Sequence, residues 1–317
     1  MKELIGVDVG GTLLRAARFN HDLTLLERAE QPTLAREGAG PVLERLYEVI
    51  RQVMPETPEQ LAGIGLALPG PIDAEAGVLI APPNIPLPNS PIRDLVHQAV
   101  GGKVFIGNDA DLAGLAEHQM GAGRGVHHLV YLTVSTGIGA GIVIDGKPYS
   151  GHGQGAEVGH MIVLPGGPMC GCGHPGHFEA MASGPSMARE AVARLNKGEK
   201  SIIREMVAGD LKQVSGQVVG DAARQGDALA LAVVHQAGEY LGIAIASLMV
   251  ILNPEKFVIG GGVMAISDLL FPPMWEAIKT YCFHERYWEG VEIVTAQLKE
   301  DVGLVGAAAL VKVMTDK

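Results

Sequence analysis

The segment CGCGHPGHFE, residues 170–179, places two cysteines, two histidines and a glutamate in one glycine-rich stretch. Thiols and imidazoles this close together suit a redox pair, a catalytic metal centre or a structural metal staple. The cysteines stand as C-x-C rather than C-x-x-C, which argues against a thioredoxin-like redox pair. The remaining cysteine, Cys282, is isolated in sequence and reads as a core thiol.

Carboxylates and glycine turns supply further chemistry. VFIGNDADLAG puts Asn108 and Asp109 where an expected strand hands over to an expected helix, the point from which functional residues leave an open α/β sheet. Asp109 or Asp111 could take the proton of an attacking hydroxyl, and spacing alone does not rank them. The same residues also make an N-cap with an acidic first turn. Glycine turns occur at DVGGT (8–12), STGIGAG (135–141) and GGG (260–262). Tips without Cβ atoms let backbone N–H groups converge on an anion, and Asp8 could hold Mg²⁺ through water. No G-x-x-x-x-G-K-[ST] is present, so this is not a P-loop protein. VIGGGVMA fits G-x-G-x-x-A, but it lies too near the C-terminus to open a full dinucleotide-binding domain.

The elements that must position these groups alternate between strand and helix patterns. KELIGVDVGGTLLRAARFN reads as strand, tight turn, strand, with a third strand in DLTLLERAE. PVLERLYEVIRQVM has helical spacing, LAGIGLALPG reads as a buried strand, and SPIRDLVHQAV as a helix capped by Ser90 with Pro91 in its first position. GAGRGV (121–126) is a flexible break, after which HLVYLTVS, TGIGAG and GIVID repeat the strand–turn–strand opening. Helices dominate 183–252, KFVIGGGVM and VEIVTA supply late strands, and VGLVGAAALVKVM a closing helix. The expectation is an α/β chain of two domains: 1–120 with the returning helix of 301–317, and 121–300 carrying the Cys/His loop.

Composition bounds the partners. Hydrophobic residues are 47% and charged residues 19%, enough apolar mass for a sizeable core. Aromatics are only 4% against 43 glycines, so that core is aliphatic. A net charge of −11 without a Lys/Arg cluster excludes nucleic acid as the expected partner. No secretory segment is legible, and LGIAIASLMVIL (241–252), bracketed by Glu239 and Asn253, is too short to span a bilayer. A cytoplasmic location without a membrane partner is therefore expected.

DVGGT, LPGPID, NDAD, LTVSTGIGAG, EVGH, CGCG, ASG and VIGGG occur in the order seen in the ROK family (repressor, open reading frame, kinase), which the chain resembles over nearly its whole length. DVGGT is shared with the wider actin/hexokinase/Hsp70 superfamily, whereas EVGH followed by CGCG is far more specific. Within the family it most resembles the bacterial ATP-dependent glucokinases. The resemblance implies an actin-like ATPase (ribonuclease H-like) fold of two domains, with sugar and ATP in the cleft. It implies Asp109 as general base, and Asn84, Asn108, Glu157, His160 and Glu179 on sugar hydroxyls. It implies Asp8 for Mg²⁺, and Gly10, Gly11, Thr12, Thr136 and Gly137 around the ATP phosphates. Gly261 and Gly262 would lie near the adenosine. Homodimers are common among relatives, so one is expected here.

The family loop binds a structural Zn²⁺ through one His and three Cys. Here His177 stands in place of the third Cys, so the expected ligands are His160, Cys170, Cys172 and His177, with His174 a substitute for His177. His152 belongs to a solvated turn. In PPNIPLPNSPI (82–92) Leu87-Pro88 stands where many relatives carry an aromatic residue, which bears on sugar preference. Asp111 stands where Asn is usual, adding a negative charge beside the base.

The leading expectation is a hexose kinase converting D-glucose and ATP to glucose 6-phosphate and ADP. Alternatives are the same chemistry on mannose, fructose or an N-acetylhexosamine, polyphosphate as donor, or a non-catalytic sugar sensor, against which Asp8 and Asp109 argue. A ROK repressor would carry an N-terminal helix-turn-helix domain, for which a glycine turn at Asp8 leaves no room.

Overall fold

The computed structural model describes residues 2–316. The chain begins with β1 (Glu3–Val9), β2 (Leu13–Phe19), β3 (Leu25–Pro32), α1 (Ala39–Gln52), β4 (Leu61–Leu68), β5 (Ile72–Asp73), β6 (Val78–Leu79), α2 (Ile92–Val100), β7 (Val104–Asn108) and α3 (Asp109–Met120). It continues through β8 (Leu129–Val134), β9 (Ile138–Ile144), β10 (Lys147–Tyr149), α4 (Glu179–Ala182), α5 (Gly184–Asn196), α6 (Ile203–Met206) and α7 (Gly216–Arg224). Then follow α8 (Ala228–Leu252), β11 (Lys256–Gly260), α9 (Ser267–Tyr281), β12 (Glu292–Thr295) and α10 (Val302–Thr315).

Two five-stranded sheets have the orders β3-β2-β1-β4-β7 and β10-β9-β8-β11-β12. The same plan recurs: three sequential strands, then two later strands added beside the first. This is the duplication that the two strand–glycine–strand openings foreshadow. The chain forms two compact units. The first comprises Met1–Tyr131, Gly141–Ala156 and Ala296–Lys317, and the second Leu132–Ala140 and Glu157–Thr295. Two of the four divisions fall inside β8 and β9, and the others follow Ala156 and the last residue of β12.

In the first unit, β1, β2 and β3 are antiparallel, while β4 and β7 join in parallel. Strand alternation sends Ile5, Val7 and Val9 into one apolar layer with α1 and α2, and Leu4 into the other with α3 and α10. β4 is buried on both faces, as its continuous apolar run requires. α10 lies close on this sheet because Gly6 and Gly65 carry no side chain. A Cβ on either would come within 2.0 Å of a carbonyl of α10, that of Leu304 or Ala307. Glu117 of α3 is fully buried. Its carboxylate accepts the Ala122, Gln297 and Leu298 N–H groups at 2.8, 2.9 and 2.8 Å, fixing the approach to α10.

The expected Ser90 cap is corrected. α2 starts at Ile92 with Pro91 as its N-cap residue, and the Ser90 backbone is taken by a bridge to Leu79.

In the second unit, α8 packs along α9 through Gly238 and Gly242. A Cβ there would meet Leu270 O at 2.7 Å and Met274 O at 2.3 Å, respectively. α8 is 25 residues long, twice the apolar stretch read from the sequence, because helical periodicity continues back to Asp227. Among the described residues it is the one helix long and apolar enough to cross a membrane. With 56% of its apolar window buried inside the protein, it serves as a core helix.

Candidate active site

The first unit gathers several of the expected site residues around the tip of β1 and β2. The tip closes with a Gly10 N–H to Leu13 O bond of 3.0 Å. Thr33, fully buried, donates its hydroxyl to Gly10 O at 2.6 Å and its N–H to Thr12 O at 2.9 Å. Thr33 thus fixes the tip, a role hidden in the sequence because it sits beyond a third strand. Gly11 lies against Asn84, and a Cβ on Gly11 would fall 2.6 Å from Asn84 Cβ. The structure therefore joins the glycine tip to the loop of residues 82–92. Leu87 is 2% exposed and belongs to the core with Ile85, so it anchors that loop from below.

Asp8 pairs with Arg15, its cross-strand neighbour, and Arg15 also donates to Glu300 O at 2.8 Å. The Asp8 carboxylate sits beside the first turn of α10, about 3 Å from where a Gly303 Cβ would stand. Asn108 ends β7 and caps α3, accepting the Ala110 N–H at 2.9 Å and donating to Gly70 O at 3.2 Å in the Pro-Gly turn. Asp109 is the first, exposed residue of α3, with Oδ1 2.8 Å from the Ala110 N–H. Asp111 is half-buried one residue beyond Ala110.

The second unit holds the Cys/His group. The ligand atoms of His160, Cys170, Cys172 and His177 all lie within 4.8 Å of one another. Edges of a tetrahedral zinc site with two sulfur and two nitrogen ligands are about 3.3–3.8 Å. Cys172 Sγ to His177 Nδ1 is 3.2 Å and Cys170 Sγ to His160 Nδ1 is 3.9 Å, so the set is close to ligand spacing. His174 stacks on His177 with its Nδ1 3.8 Å from Cys172 Sγ, outside the four-residue group. His152 is exposed in a turn. Burial pushes the Cys170 thiol up, whereas the His174 backbone N–H holds the Cys172 thiol below its usual value.

His160 Nε2 faces Glu157 at 4.0 Å, so its two nitrogens serve different neighbours. Glu179 opens α4 and accepts the Ile138 N–H at 3.0 Å, beside the Thr136–Gly137 turn. Gly261, at φ 92°, lies against β8, where a Cβ would meet Val134 O at 2.3 Å. Gly262 comes beside Ser135.

A cavity of 1060 Å³ opens here, lined by Ser135, Thr136, Gly262 and Val263. The N-termini of α5 and α7 also line it. Each helix starts Ser-Gly, with Ser183 and Ser215 accepting the N–H three residues on. The glycines permit close crossing, a Cβ on Gly216 falling 2.8 Å from Gly184 Cα. Met187, Ala188 and Ile266 give the cavity an apolar wall, and Gln217, Asp221 and Arg224 a polar one. Sequence reading did not assign α5 and α7 to a site, although the paired Ser-Gly helix starts were its visible signal.

Mixed sheets flanked by helices, repeated in plan, define an actin-like ATPase fold. The chain belongs to the ROK family, whose model matches residues 4–314. A glucokinase of Thermotoga maritima is 38% identical over 312 residues, covering 98% of this chain and 97% of that one. The crystal structure of a ROK hexokinase from Thermus thermophilus superposes with a TM-score of 0.85 at 36% identity, covering 99% of this chain and all of the other. A ROK glucokinase from Streptomyces griseus, in complex with glucose and AMPPNP, gives 0.78 at 30% identity, covering 97% and 98%.

Proposed function

We propose that this protein is an ATP-dependent hexose kinase with D-glucose as its foremost substrate. The observation that carries the reading is the cavity of the second unit. It combines an apolar wall suited to a purine with a glycine turn and two helix N-termini suited to phosphates. The similarity to glucokinases, one of them bound to glucose and AMPPNP, supports the same reading.

In the proposed reaction the sugar 6-hydroxyl attacks the γ-phosphorus, the bond to the β-phosphate oxygen breaks, and ADP leaves. Asp109 takes the hydroxyl proton. Asn84, Asn108, Glu157, His160 and Glu179 hold sugar hydroxyls. Gly10, Gly11, Thr12, Thr136 and Gly137 hold phosphates, and Gly261 and Gly262 border the adenosine. Asp8, its carboxylate paired with Arg15, would serve Mg²⁺ through water, the ion supplying charge neutralisation for the phosphates. Phosphoryl transfer is mostly positioning and charge stabilisation, so this equipment suffices.

His160, Cys170, Cys172 and His177 would hold Zn²⁺, whose donor set they fit. Four protein ligands leave no open position, so its contribution is geometric. Nδ1 of His160 would face the metal and Nε2 the sugar, which reconciles its two assignments. A homodimer has a candidate face in exposed Val250, Ile251, Tyr281 and Phe283 near the ends of α8 and α9.

ADP release with Mg-ATP over a panel of sugars tests the reading. Glucose should lead in kcat/KM, and another sugar in the lead would transfer the assignment to that sugar. Asp109→Asn should cut turnover about 10²–10⁴-fold while glucose binding by calorimetry persists. Normal turnover would place the base elsewhere.

A further inference from the structure

Ile138 opens β9 directly after the Thr136–Gly137 turn; a segment bearing the Cys/His group bonds its N–H, and another packs against its carbonyl. Its N–H donates to Glu179 Oε2 at 3.0 Å. Its carbonyl is covered by Gly159, where a Cβ would fall 2.1 Å away. Gly159 immediately precedes His160, and Glu179 follows His177 and Phe178. The other Glu179 oxygen, Oε1, is 3.6 Å from Cys170 Sγ. On the far side of the turn, Ser135 O accepts the Gly184 N–H at 2.9 Å, at the start of the helix that follows Glu179. A Cβ on Gly137 would come within 2.7 Å of Glu179 Oε2, so the glycine is what lets the carboxylate lie this close to the turn.

We infer that Glu179 is a positioning residue for the phosphate-binding turn, and that metal occupancy of the 170–177 loop is felt by the phosphate chain of the nucleotide. The inference rests on the kinase reading above. A metal drawing His160, Cys170 and His177 together fixes both strands of backbone that meet Ile138. Glu179 then carries that constraint to the turn through one charge-assisted hydrogen bond. The nucleoside portion of the cavity is lined by α7, Val263 and the part of α5 beyond Gly184, which make none of these contacts.

The test uses the full chain without sugar, comparing adenylyl imidodiphosphate with Mg²⁺ against adenosine by calorimetry. Each is measured zinc-loaded and after a zinc-selective chelator, for wild type, Glu179→Gln and Glu179→Ala. Zinc removal should weaken the imidodiphosphate about tenfold, the low end for losing one charge-assisted bond, and leave adenosine unchanged. Glu179→Ala should show the same loss when zinc-loaded and no further loss on chelation. Glu179→Gln retains an acceptor oxygen and should fall between.

Equal losses for both ligands, additive effects of chelation and Glu179→Ala, or no change would each overturn the inference. So would a chain that takes up no zinc, and in these cases the kinase reading stands if nucleotide binds. If Glu179→Ala does not fold, non-additivity is read from Glu179→Gln. A wild-type protein that binds neither ligand overturns the kinase reading and this inference together.

Discussion

Gly11→Ala isolates the contact between the glycine tip and the loop of residues 82–92. Gly11 lies outside the left-handed region, so alanine meets no backbone penalty there. The new Cβ would stand 2.6 Å from Asn84 Cβ and 3.1 Å from Asn84 O, against an ordinary contact of 3.4–4 Å. Neither atom is the end of a flexible side chain, so one backbone must yield. Overpacking of this kind costs about 1–3 kcal/mol. If the cost falls on the tip and Asn84, kcat/KM drops by roughly 10- to 100-fold, since each 1.36 kcal/mol is a factor of ten. Steady-state kinetics varying glucose and ATP separately should show both KM values rising. Gly40→Ala provides the control, because a Cβ there meets nothing within 4 Å. It lies in α1, where alanine should add about 0.5–1 kcal/mol of stability by urea unfolding and leave kinetics untouched. Wild-type kinetics in Gly11→Ala at unchanged stability would refute the link between the tip and Asn84.

Two further outcomes follow from side-chain geometry. His177→Ala should lose bound zinc and melt at a lower temperature, whereas His174→Ala should keep its metal; zinc retained by the first and lost by the second would exchange their roles. Asp227 carries a pH-dependent share of stability. Burial alone would raise its carboxyl, but bonds from the Ala230 and Ile202 N–H groups and the Ser201 hydroxyl outweigh burial and hold it below 3.8. A depressed folded-state pKa contributes stability that is full above the unfolded value and lost as pH falls through the folded one. Acid unfolding of Asp227→Asn should therefore show a shallower loss of stability below about pH 4; a slope equal to wild type would contradict the hydrogen-bond set.

Much of the fold was legible because its signals are local. Alternation, glycine turns and apolar spacing marked β1 to β3, β4, β7, β8 and β9, and the helices α1, α3 and α10. The same short-range chemistry brought out Asn108 as a cap and the Cys/His loop as one cluster. Boundaries set by partners were less legible. Ser90 has the type and position of a cap, but its backbone is engaged by Leu79 in a separate strand.

The sequence by itself determined which groups are available: the carboxylates, the glycine tips, four Cys and His side chains of metal-ligand type, and the order of elements that recurs in both sheets. Only the tertiary structure decided how they are held. Gly6 and Gly65 read as weak strand residues until the α10 backbone is found against them. Glu117 is a charged residue in a helix, yet it is buried on N–H groups some 180 residues away in the chain. Arg15 takes Asp8 as its partner across β1 and β2, and Thr33 locks Gly10 from beyond β3. The cavity arises where two Ser-Gly helix starts, far apart in sequence, cross within contact distance. Periodicity and turn chemistry act over a few residues and are written in the chain. Close packing and the satisfaction of buried polar groups act between segments brought together only on folding.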